Sequence, residues 1–109
     1  MAFGLAIRPE VGAFPVTEPV HQRRTVYYSG RVQGVGFRFT ARSIAQRYEV
    51  AGMVQNLDDG RVLLVAEGAQ SEMDRFLTDL SETMGQFIHH TNVVTSPATG
   101  EFTTFSIER

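Results

Sequence analysis

The sequence predicts an α+β fold in which an antiparallel sheet carries two helices on one face. Two observations predict it. Runs of β-prone residues alternate with two stretches whose apolar residues recur at helical spacing, in the order βαββαβ. Each half of that order also joins its strands through a helical crossover, which is the ferredoxin-like arrangement.

Each element has its own signal. Strand one spans residues 25–30, where Val26, Tyr27 and Tyr28 favour extended backbone. Helix one spans residues 37–48, with Phe37, Ala41, Ile44, Ala45 and Tyr48 at helical spacing. Strand two (residues 50–56) and strand three (residues 61–67, with a Val-Leu-Leu-Val-Ala run) form a hairpin through Leu57-Asp58-Asp59-Gly60. Helix two begins near Ser71 as N-cap, with Glu72 and Asp74 where the dipole favours acids. Its stripe of Met73, Phe76, Leu77, Leu80 and Met84 is core. A fourth strand follows near residues 87–94, then a turn over residues 97–100 and a short extra C-terminal strand near residues 102–107. Residues 25–109 make the domain. Residues 1–24 hold three of the four prolines and no sustained periodicity, so an extended or disordered N-terminal arm is expected there.

A chain of 109 residues with 42% apolar content suits one core. Its formal charge of −2 lacks the basic excess of a general nucleic-acid or membrane-surface binder. No run approaches membrane-spanning length, and the apolar start ends too soon, at Arg8-Pro9, for a secretion signal. A cytoplasmic location is the default expectation. All ten basic residues are arginine, so Schiff-base chemistry and a phosphate-binding lysine are excluded. Cysteine is absent, which excludes thiol nucleophiles and thiolate-held metals. His89 and His90 are adjacent and would point to opposite faces of a strand; with His21 the only other histidine, no metal site is expected. Asp58-Asp59 reads as turn chemistry.

Charge is unevenly placed. Between residues 20 and 48 there are six arginines and no Asp or Glu. Inside this stretch Gly30-Arg31-Val32-Gln33-Gly34-Val35-Gly36-Phe37-Arg38 joins a strand to a helix through a glycine-spaced loop. Amides at a helix start have no intrahelical partner and carry the positive end of the dipole, so they suit a phosphate or carboxylate. Gly34 and Gly36 permit positive φ and close approach, and Arg38 can offer two parallel donors to phosphate oxygens. A small acidic ligand fits better than a polyanion. Arg31, Arg42 and Arg47 read as solvated charges.

At these residues the chain resembles the acylphosphatases. Gly30 to Arg38 fits that family's first motif at every position. The second motif is matched by Gly52-Met53-Val54-Gln55-Asn56, then Gly60, Val62 and Gly68, with only Met53 departing, where the family usually has an aromatic. The resemblance covers residues 25–109, including Phe105-Ser106-Ile107. It implies a hydrolase that cleaves acyl phosphates to a carboxylate and inorganic phosphate with no metal, cofactor or covalent intermediate. Arg38 and the backbone amides of Gln33, Gly34, Val35, Gly36, Phe37 and Arg38 would hold the phosphoryl group, and Asn56 would orient the attacking water. Inorganic phosphate would be product and competitive inhibitor, and the protein a monomer.

Two other readings stand beside it. A similar domain is fused to hydrogenase-maturation enzymes, so this one could bind acyl phosphate or carbamoyl phosphate without catalysis; the lack of a catalytic domain after Arg109 favours the stand-alone hydrolase. Val35-Gly36-Phe37-Arg38-Phe39 also looks like the aromatic motif of RNA-recognition domains, but it precedes helix one instead of lying on a central strand.

Overall fold

The computed structural model describes residues 20–109. The expectation of an arm over residues 1–24 falls mostly outside this range. The elements are β1 (His21–Gly30), α1 (Phe37–Ala45), β2 (Val50–Asn56), β3 (Val62–Ala69), α2 (Gln70–Met84), a 3₁₀ turn (Gly85–Phe87), β4 (Ile88–Pro97) and β5 (Phe105–Glu108). They build a five-stranded sheet in the order β4-β1-β3-β2-β5. The first four strands pair antiparallel, as expected, whereas β5 joins the free edge of β2 in parallel.

Alternation along the strands aims one set of side chains at the helices. Val26 and Tyr28 of β1, Val54 of β2 and Val62, Leu64 and Ala66 of β3 are buried with Phe37, Ala41, Ile44 and Ala45 of α1 and Met73, Phe76, Leu80 and Met84 of α2. All belong to one core, which places both helices on the same face. Each large side chain buried there contributes about 1.5–3 kcal/mol. Tyr28 meets Phe37 with ring centroids 4.9 Å apart, fixing the start of α1 against the end of β1. At Gly52, a Cβ would meet Val65 O at 1.9 Å, so only glycine lets β2 run this close to β3.

Several boundaries differ from the expectation, each for a local reason. Strand β1 starts at His21, and of residues 21–24, assigned by sequence to the arm, all pair with β3 and residues 22–24 also with β4. Arg23 sits opposite Glu67 in that ladder, and a charged cross-strand pair carries no apolar signal. Helix α1 stops at Ala45, before Tyr48; the amides of Arg47 and Tyr48 donate to Ile44 O and Ala45 O, tightening the last turn. Helix α2 starts at Gln70 with Ala69 as N-cap, so Ser71 lies inside the first turn and does not cap it. Glu72 is in that turn as expected, accepting from the amide of Glu49 at 2.7 Å. Strand β4 is delayed to Ile88 by the 3₁₀ turn and runs on to Pro97, and β5 begins at Phe105, not at Phe102.

Residues 98–104 must carry the chain from one sheet edge to the other. They do so over the face opposite the helices, and Glu67 holds them there. Its carboxylate accepts from the amides of Thr99 and Gly100, from the Thr99 hydroxyl (2.9 Å each) and from Arg23 Nε at 2.7 Å. Burial pushes the Glu67 carboxyl up, but those four donors outweigh it and hold the group at about 2. Phe102 of the same crossing packs over the Arg23 guanidinium, 5.2 Å from its ring centre.

A candidate active site at the start of the first helix

The loop between β1 and α1 takes its shape from two left-handed glycines, Gly34 (φ 79°) and Gly36 (φ 78°). A Cβ at either would meet nothing within 4 Å, so the requirement is conformational. Gly36 is the N-cap of α1 and provides no capping side chain. The first i to i−4 bond runs from the amide of Thr40 to Gly36 O at 2.9 Å. The amides of Phe37, Arg38 and Phe39 therefore have no intrahelical acceptor, and the first turn contains no acid to neutralise them.

This helix start opens into a cavity of about 730 Å³. Gly34, Gly36, Phe37 and Arg38 line it on one side, and Asn56, the last residue of β2, on another. Arg38 is half-buried and forms no ion pair among the described residues. The Asn56 carboxamide is also half-buried, and its Oδ1 is buried with no hydrogen-bond partner among the described residues. A buried acceptor left in that condition costs about 1–3 kcal/mol. A half-turn about χ2 exchanges Oδ1 with Nδ2, so the side chain can present an acceptor or a donor to the cavity.

Gln33 and Val35 occupy the second layer of the loop. The Gln33 side-chain amide donates to Leu57 O at 2.8 Å and Arg61 O at 3.0 Å, tying the loop to the β2–β3 turn. Val35 packs against the core. The turn is built as expected from Asp58-Asp59-Gly60: Asp59 accepts from the Arg61 amide and pairs with Arg61 Nε at 2.9 Å. Met53, on the opposite side of β2 from buried Val54, is not among the residues that line the cavity. The segment Val35 to Phe39 opens a helix, with Phe37 buried, and presents no aromatic row on a strand.

Five lining residues were missed from sequence. Val32, Phe39, Arg42, Ile107 and Arg109 all border the cavity. Arg42 stands one turn after Arg38 on the same helix face, a signal the sequence did contain. Arg109 and Ile107 reach the site only because β5 pairs in parallel beside β2, a long-range pairing with no local signature.

The family model for acylphosphatase matches residues 24–107. An acylphosphatase of Lactobacillus johnsonii is 36% identical over 85 residues, covering 76% of this chain and 93% of that protein. The crystal structure of acylphosphatase from Bacillus subtilis is similar with a TM-score of 0.72 at 30% identity, over 81% of this chain and 99% of that one. The crystal structure of T. kodakarensis HypF gives a TM-score of 0.70 at 27% identity, over 81% of this chain but only 12% of that one. Fold, loop and relatives agree, and the chain belongs to the acylphosphatase family.

Proposed function

We propose that the protein hydrolyses acyl phosphates to a carboxylate and inorganic phosphate, without a metal ion and by direct attack of water on phosphorus. The observation that carries this reading is the meeting, around one cavity, of the uncapped α1 start, Arg38 and Asn56. The loop amides and the Arg38 guanidinium surround the equatorial phosphoryl oxygens, where negative charge must be stabilised as the transition state forms. Asn56 aligns the water by hydrogen bonding; a carboxamide is too weak a base to take its proton. The water oxygen bonds to phosphorus, the bond from phosphorus to the acyl oxygen breaks, and the carboxylate departs. The water's proton passes to a phosphoryl oxygen. No strong acid is needed, because carboxylic acids have pKa values of about 4.

The test is release of phosphate from benzoyl phosphate by the purified protein in excess EDTA. The expected result is turnover well above the uncatalysed rate and insensitive to the chelator. No turnover with or without added Mg²⁺ would point instead to a domain that binds acyl phosphates without cleaving them, a reading that the likeness to 12% of a longer HypF chain keeps in view.

A further inference from the structure

The cavity holds more positive charge than one phosphoryl group requires. Besides Arg38 it is lined by Arg42 and Arg109 and, among the described residues, by no Asp or Glu. None of the three forms an ion pair among the described residues. Arg42 is half-buried, and its Cζ lies 5.3 Å from the ring centre of Phe39, which is itself 65% exposed at the rim. Arg109 comes from the other wall. The parallel register sets Glu108 beside Gln55, so the next residue reaches the end of β2 at Asn56, and the Gln55 side-chain amide donates to Arg109 O. On β5, Ser106 and Glu108 bond to each other at 2.9 Å, while Ile107 and Arg109 alternate with them and line the cavity.

Three arginines lining one space repel each other unless an anion answers them. Arg38 and the helix amides answer to the phosphoryl group. Arg42 and Arg109 are left for charge elsewhere on the ligand, with the Phe39 ring as an apolar neighbour of Arg42. We propose that Arg42 and Arg109 bind a carboxylate on the acyl portion of the substrate, so that the enzyme prefers acyl phosphates derived from dicarboxylic acids. This rests on the hydrolase reading above.

The experiment compares three rigid substrates: 4-carboxybenzoyl phosphate, its neutral counterpart 4-carbamoylbenzoyl phosphate, and benzoyl phosphate. The wild type is expected to favour the carboxylate over the amide by about tenfold in kcat/KM, mostly through KM, the scale of one added charge-assisted hydrogen bond in a partly open site. Arg42→Gln and Arg109→Gln should each bring that ratio down about threefold or more, and added salt should lower it in the wild type. Arg75→Gln, the same change of charge on exposed α2, should leave the ratio as in the wild type. Cleavage of benzoyl phosphate with a wild-type ratio near one would overturn this inference alone, as would a ratio that Arg42→Gln and Arg109→Gln do not move. Failure to cleave any of the three would overturn the hydrolase reading and this inference with it.

Discussion

The side-chain amide of Gln33 donates to Leu57 O across 2.8 Å, so the loop that opens α1 is bonded to the residue immediately after Asn56. With its second bond to Arg61 O, Gln33 sets the spacing between the two walls of the cavity. Gln33→Ala is expected to cost about 1–2 kcal/mol of stability. Its effect on kcat/KM for benzoyl phosphate should be roughly tenfold or more, because a small misplacement of bound groups is felt strongly in rate. Thermal melts and steady-state kinetics on the same variant check this, and a destabilised variant with unchanged kcat/KM would deny Gln33 the spacing role.

Arg38→Ala should lower kcat/KM by about 10²–10³-fold, with losses in both KM and kcat, since a charge on the phosphoryl oxygens acts in the ground state and the transition state. Arg38→Lys should recover only a minor part. An ammonium restores charge but cannot supply two parallel donors. Full activity in Arg38→Lys would show that the planar fork is not used.

Asn56→Ala separates water alignment from phosphate binding. It should lower kcat by about 10–100-fold while inorganic phosphate competes with nearly unchanged affinity, as the cradle on α1 is untouched. Near-normal turnover would remove Asn56 from the water-positioning role.

The Glu67 clamp predicts an acid limb of stability. Its carboxyl sits at about 2 in the fold against an ordinary 4.5, so folding favours the charged form. That contribution is complete above pH 4.5 and is lost as pH falls through about 2. Glu67→Gln should melt lower at pH 7, by about 1–3 kcal/mol, and lose less further stability between pH 5 and pH 2 than the wild type. Truncation gives a second reading of the same clamp. Removing residues 1–19 should leave hydrolysis intact and retain the acid limb, whereas removing residues 1–23 takes Arg23 and should weaken it. Equal pH profiles for wild type and Glu67→Gln would contradict the assignment.

Local patterns were the legible part of this chain. The helical spacing of Phe37, Ala41 and Ile44, the β-run of Val62 to Ala66 and the Asp58-Asp59-Gly60 turn are short-range signals, and the elements lie where those signals are. Gly34, Gly36, Arg38 and Asn56 meet at one cavity because the loop and the strand end they mark are brought together by the β1–β3–β2 pairing. What the sequence hid depends on long-range contacts. Arg23 and Glu67 carry no local signal of a partner; the cross-strand register and the residue 98–104 crossing make them a clamp. Ser71 looked like a cap, yet the chain leaves β3 directly into α2 and Ala69 takes that place. Arg109 could not be assigned to the site without knowing that β5 lies parallel to β2.

Attack of water on phosphorus is tested most directly by hydrolysing benzoyl phosphate in oxygen-18-enriched water and analysing both products by mass spectrometry, corrected for the uncatalysed reaction. A cradle that holds the phosphoryl group beside an Asn56-aligned water predicts one labelled oxygen in the phosphate and none in the benzoate. Label in the benzoate would mean that water attacks the carbonyl carbon, and would contradict the roles given to Arg38 and Asn56.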